Sequence, residues 1–189
     1  MLTTFTKLDA VNQILSAIGS DPVTTIDDGM DIDVINALKI LEDKSRDIQR
    51  KGWNFNKVTR TFMPDKDTKK IYWDTTIMSL KSSDGNTYVK RGIFLYDINN
   101  DNYIFSKPIE ATVVYAVDFE DLPECFQNYI TASAAVDFQT RYFGSDTATS
   151  QDLGMRLQEA WQDIVAYDMD MQDVNVLNMT GVSEVLQRT

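Results

Sequence analysis

The sequence predicts an α+β protein: an antiparallel four-helix bundle formed by N- and C-terminal helices, with an inserted antiparallel β subdomain. Three observations predict it. Apolar residues recur at helical spacing over 8–48 and again over 122–171. The intervening 57–117 is rich in β-branched residues and dense in Gly, Asn and Asp turn signals. Those turns are spaced too closely for βαβ units, so neighbouring strands are expected to form an antiparallel meander. The implied division is a helical hairpin at 1–56, the β subdomain at 57–117, a helical pair completing the bundle at 118–171, and a tail at 172–189.

The first helix places Leu8, Val11, Ile14, Leu15 and Ile18 on one face. Thr6 with Asp9 three residues on makes a capping box, Gly19 provides a left-handed stop, and Pro22 forbids continuation. The second helix is capped by Asp31 and turns Val34, Ile35, Leu38, Leu41, Ser45 and Ile48 inward. Lys44, Arg46, Arg50 and Lys51 crowd its last turns, where the helix dipole favours cations, and Gly52 ends it. Trp53 and Phe55 follow, spaced by two as in a strand. The acids of 27–33 resemble a calcium loop only superficially, since the ligand positions and closing Glu of an EF-hand are missing.

Strands are expected at 58–62, 71–73, 77–80, 87–89, 93–96, 103–105 and 111–117, with turns at 64–67, 82–86, 90–92 and 99–102 between them. Lys90 and Arg91, beside Gly92, read as turn residues before they read as phosphate contacts. Helices return at Leu122, with Pro123 at the first helical position and Asp121 as its cap. Phe126, Tyr129, Ile130, Ser133, Val136 and Tyr142 are expected to face inward, and Gly144 closes the helix. Residues 145–150 read as a small polar linker. The last long helix, near 151–171, sets Leu153, Leu157, Trp161, Ile164 and Val165 on one stripe. Trp53, Phe55, Trp73 and Trp161 read as core anchors.

Composition narrows the function. The 189 residues include no histidine and one cysteine, Cys125. Ser–His–Asp and Cys–His nucleophilic machinery, imidazole zinc sites and intrachain disulfides are therefore ruled out. Cys125 reads as a small buried hydrophobe. Glycines form neither a GxGxxG nor a Walker loop, so no nucleotide or other cofactor is expected. No apolar run is long enough to span a membrane, and the N-terminus lacks the pattern of a signal peptide. The net charge of −11 is unevenly spread: from Asp118 onward thirteen Asp and Glu face three Arg, leaving the first 117 residues close to neutral. An acidic chain does not attract phosphate backbones. The excess is either a solvated helix face or the wall of a conduit past which DNA slides without sticking.

Several phrases, in order, carry a resemblance: AVNQILSAIG at 10–19, ALKIL at 37–41, QRKGWNFN at 49–56, YVKRGIFLYD at 88–97, then LPECFQNYI and FQTRYFG between 122 and 144. Together they resemble the tail tubular protein A family, the head-to-tail adaptor (gatekeeper) of short-tailed phages. The resemblance implies a structural virion protein and no enzyme, assembled in the host cytoplasm. It implies a homo-oligomeric ring of about a dozen copies beneath the portal (connector) protein, with the tail nozzle protein (tail tubular protein B) and tail fibres as further partners. Such a ring joins head to tail, retains packaged double-stranded DNA and gives it passage without specific binding. Its contacts are heterologous, so each copy needs two complementary patches. The bundle is expected to supply much of that contact, with the β subdomain projecting. Two sets of candidate site residues follow. The apolar tail residues Val174, Val176, Leu177, Met179, Val182, Val185 and Leu186 are expected to dock onto the portal. The acids Asp152, Glu159, Asp163, Asp168 and Asp170 are expected to face the lumen. The alternative is a virion-associated polysaccharide or cell-wall hydrolase working with paired carboxylates.

Overall fold

Thr6 and Asp9 start the first helix as a reciprocal pair: the Asp9 amide donates to the Thr6 hydroxyl at 3.2 Å, and the Thr6 amide donates to the Asp9 carboxylate at 2.9 Å. The Thr6 hydroxyl, which donates to the same carboxylate at 2.7 Å, and the Thr6 amide hold the Asp9 carboxyl below its ordinary range. The computed structural model describes residues 4–26, 31–142, 144 and 147–177, the side chains of 147–150 and 173–177 excepted. It is α+β, with four α-helices and antiparallel sheets. The chain divides into a helical unit (Met1–Ile48 with Asp118–Thr189) and a β unit (Gln49–Val117).

In the helical unit, α1 (Lys7–Ser16) buries Ala10, Val11, Ile14 and Leu15, and the turn that follows it closes at Gly19, whose φ is +74°. Asn12 then fastens the following loop by two bonds to the backbone of Val23, at 2.8 and 3.0 Å. Helix α2 (Ile32–Gln49) buries Val34, Ala37, Ile40, Leu41, Ser45 and Ile48. Ile35, expected inward, is 50% exposed. It lies about 100° around the helix from Val34, and the small Ala37 takes the place that hydrophobicity alone assigns to a larger side chain.

Helix α3 (Glu124–Tyr142) buries a ridge of Phe126, Ile130, Ala134 and Phe138 at every fourth residue, with Gln127, Thr131 and Ala135 beside it. Two of its buried polar side chains bond to backbone: the Gln127 amide donates to the Phe119 carbonyl and the Thr131 hydroxyl to the Gln127 carbonyl, both at 2.8 Å. Tyr142, expected inward, is 47% exposed, while Tyr129, Ser133 and Val136 are half-buried flanks. Helix α4 (Thr147–Leu177) has 31 residues, about 46 Å of helix at the standard rise. It absorbs most of the expected linker, because Thr and Ser suit a helix start. It also runs into the expected tail, since no Pro or Gly interrupts 155–177. Leu153, Ala160 and Ile164 are its buried residues, and Trp161 lies on the flank against Tyr129 with ring centroids 5.4 Å apart. Helix α3 packs against α1 and α4. From α2, Lys44 reaches the Asp137 carboxylate of α3 at 3.0 Å, a carboxylate that Arg141 also engages at 2.8 Å.

In the β unit, strand order departs from the expected meander. β1 (Lys57–Phe62), β2 (Ile77–Ser82) and β5 (Ile109–Tyr115) form one antiparallel sheet in the order β1-β5-β2. The last strand is central because it buries Ile109, Ala111, Val113 and Val114, whereas β1 is exposed along most of its length. β3 (Tyr88–Arg91) and β4 (Phe94–Asp97) form a hairpin turned by Gly92, with φ +62°, and Ile93. Lys90 and Arg91 are therefore strand residues, with Arg91 paired to Phe94. The expected strand at 71–73 is one bridge, Tyr72 to Phe94, flanked by the Trp73 amide donating to Ile93 and the Leu95 amide donating to Ile71, both at 2.9 Å. No strand forms at 103–105, and Trp53 and Phe55 lie in a turn. The core of this unit is Ile71, Tyr88, Leu95, Phe105 and Ile109, with Trp73 partly buried against it.

The chain enters and leaves the β unit through a hydrogen-bonded neck. The Gln49 side chain both accepts from the Val117 amide at 2.8 Å and donates to the Val117 carbonyl at 3.0 Å. Buried Asn56 donates to the carbonyls of Gln49 and Tyr115, at 3.0 and 2.9 Å, and accepts from the Trp53 amide at 3.0 Å. Gly52 beside it has φ +78°, and a Cβ there would lie 2.8 Å from a methyl of Val114.

A turn of the same unit makes its stability pH-dependent. Hydrogen bonds from Ser82, Tyr88 and Asn86 hold the Asp84 carboxyl down from 3.8 to about 2. Burial and the bond to Asp84 push the Tyr88 hydroxyl up from 10.0 to about 12. The Asp84 contribution is complete above its unfolded pKa and is lost as pH falls towards 2; that of Tyr88 is complete below pH 10 and is lost as pH rises towards 12. Denaturation midpoints of the β unit are expected to fall on both limbs, and Asp84→Asn to flatten the acid limb.

Candidate functional site

The acids of α4 are set by helix geometry. Asp152, Glu159, Asp163 and Asp170 are exposed and, at 100° per residue, fall within about 40° of one line along roughly 27 Å of helix. Asp168 lies off that line, half-buried, and accepts from Gln172 at 3.3 Å. Asp152 is engaged by Arg156 at 3.0 Å. Of the apolar residues expected to dock, Val174, Val176 and Leu177 belong to the last turn of α4, with their side chains outside the described residues; Met179, Val182, Val185 and Leu186 lie outside them altogether. So does most of the acidic loop, 27–30, though Asp31 begins α2: its carboxylate accepts from the Asp33 amide at 3.2 Å.

Within the helical unit, α1, α3 and α4 enclose an open groove of about 610 Å³. Its floor is small, with Thr131, Ala132 and Ala135 of α3 and Ala160 of α4. Among the described residues no group of three or more His, Cys, Asp or Glu could hold a metal ion, and no helix is long and apolar enough to cross a membrane. Cys125 is half-buried, and burial pushes its thiol pKa up, which leaves it a poor nucleophile at neutral pH.

The β unit carries a surface of another kind. Alternation along β3, β4 and 70–73 sends Ile71, Tyr88 and Leu95 into the core and Lys70, Tyr72, Arg91, Phe94 and Tyr96 to the opposite face. Tyr72 and Phe94 meet with centroids 4.9 Å apart, and Tyr96 meets Tyr103 edge-on at 4.8 Å. Lys70 lies over Phe94 at 4.8 Å and Tyr103 at 5.8 Å, and the Arg91 guanidinium over Tyr96 at 3.6 Å. Each cation sits against the negative face of a ring. The Tyr96 hydroxyl donates to Asp101, a bond that raises its pKa. Tyr72 is 58% exposed and Ile93 at the hairpin turn 64%, Lys70, Phe94 and Tyr103 are half-buried, and Tyr96 beneath Arg91 is buried.

Sequence reading missed this face because it assigned Lys90 and Arg91 to a turn. The signal was available in the period of two: Tyr72 with Lys70, and Tyr96 with Phe94, alternate with core residues Ile71 and Leu95. The boundary between units also sharpens the charge asymmetry. The β unit holds eleven Lys and Arg against seven Asp and Glu, a balance of +4; the helical unit holds seven against twenty-two, a balance of −15.

Comparison with known proteins adds a family. A family model described as tail tubular protein matches residues 8–174. The chain is also similar to tail tubular protein A of Klebsiella phage KP34, with 34% identity over 136 residues that cover 67% of this chain and 69% of that protein.

Proposed function

The chain belongs to the tail tubular protein family, and from that premise we propose that it is a non-enzymatic structural protein of a phage tail, acting as the adaptor ring between the portal and the tail nozzle. The observation that carries this reading is the family match, which spans both halves of the helical unit and the whole β unit between them. In the virion about a dozen copies close into a ring by heterologous contacts, retaining packaged DNA and later forming part of its exit conduit. The four helices close as one bundle, supported by the packing of α3 on α1 and α4 and by the Lys44–Asp137 ion pair. The β unit is the inserted module, and 172–189 is a docking segment for the portal. The acid line on α4 faces the conduit, where like charge keeps the DNA backbone from adhering.

The test is mass. Light scattering and electron microscopy of the purified chain, alone and mixed with its cognate portal, should show a ring on the portal. A chain that stays monomeric under both conditions would overturn the adaptor reading. Deleting residues 173–189 should abolish portal binding while leaving the helical circular dichroism of the rest in place; undiminished binding would remove the tail from the interface. Replacing Glu159, Asp163 and Asp170 together by Lys should slow DNA release from assembled particles, and release at the wild-type rate would take these acids off the conduit wall.

A further inference from the structure

We infer that the cation-aromatic face of the β unit, presenting Lys70, Tyr72, Arg91, Phe94 and Tyr103 over a buried Tyr96, docks on the helical unit of a second copy of this chain. The inference deepens the ring reading, resting on it only in that copies assemble.

Charge identifies the occupant. The two units of one chain carry +4 and −15. Two helical units brought together repel strongly and two β units weakly, so like-to-like association is opposed. A β unit meeting the helical unit of the next copy is attractive. Polarity of this kind produces heterologous contacts, the class that closes into a ring when the rotation permits. The face itself suits a protein partner. Its cations are spread over ring faces, and exposed Tyr72 provides a large, rigid contact area of the type enriched where interfaces are strongest. A nucleic acid fits less well, because the same chain presents its backbone with a net charge of −11.

The decisive measurement is a photo-crosslink from position 72, where Tyr72→p-benzoylphenylalanine leaves the core untouched. The full chain, half of it isotope-labelled, is assembled on the cognate portal and irradiated. The expected product joins position 72 of one copy to a peptide from Met1–Ile48 or Asp118–Thr189 of another. A crosslink within one copy, or to a second β unit or the portal, would overturn the inference. In parallel, Lys70→Glu with Arg91→Glu should weaken self-association by roughly tenfold or more, and added salt should weaken the wild-type contact by screening. Tyr72→Ala, at an exposed position, should weaken it in the same direction without affecting the fold. Rings that form normally from folded variants would overturn this docking while leaving the adaptor reading intact; wild-type chains that form no ring even on the portal would overturn both.

Discussion

Phe126→Ala is expected to lower the stability of the helical unit by about 3–5 kcal/mol. Phe126 is fully buried and is among the largest side chains without solvent contact. It begins the α3 ridge that continues through Ile130, Ala134 and Phe138, and its ring meets Tyr167 of α4 edge-on at a centroid distance of 6.1 Å. Truncation removes the transfer free energy of the ring and leaves a cavity between helices whose side chains already interlock. Chemical denaturation followed by circular dichroism measures the loss directly, with Phe126→Leu as the volume-sparing control. A loss below about 1 kcal/mol would show that the α3–α4 contact is not the packed centre of this unit.

The second large effect is expected at the neck, from a polar residue. Asn56→Leu keeps the approximate volume but removes three hydrogen bonds, leaving the carbonyls of Gln49 and Tyr115 and the amide of Trp53 without their side-chain partner. Asn56 is 4% exposed, so water cannot readily replace those bonds. The Gln49 carbonyl keeps its bond from the Gly52 amide at 3.1 Å, so the cost is that of three lost bonds rather than three stranded groups; at about 0.5–1.5 kcal/mol for each, the β unit should lose about 2–4 kcal/mol. Trp53 is half-buried within three residues of the change, so its fluorescence can follow the unfolding. Wild-type stability in this variant would mean that the neck bonds are dispensable.

How much was legible follows from which interactions are local. The capping box at Thr6 and Asp9, the glycine stops at 19, 52 and 144, and the existence of the helices all follow from short-range rules, and the structure agrees with them. Errors arose where distant chain segments decide. Nothing local to Lys57 or Ile77 shows that both flanking strands pair with β5, so short-range rules alone lead to a meander of adjacent strands. Hydrophobicity favoured Ile35 over Ala37, yet close packing placed the smaller residue inside. At 147–150, Thr, Ala and Ser served as a helix start although their composition resembled a linker. The acid line of α4 was legible as a set of residues, but Asp168 left it because 100° per residue carries that position to another side. The cation-aromatic face was hidden by a two-residue misplacement of one hairpin turn.

The neck has an evolutionary consequence. Gln49 and Val117, the first and last residues of the β unit, are tied to one another by two hydrogen bonds. The two ends of the β unit therefore lie side by side, the arrangement that lets a module of this kind be set into another chain as if it were a short loop. A cassette with such ends can be lengthened, exchanged between relatives or lost without rerouting the surrounding chain. Recombination would then leave its breakpoints near residues 49 and 117, and sequence divergence on one side of that doorway could proceed at a different pace from divergence on the other.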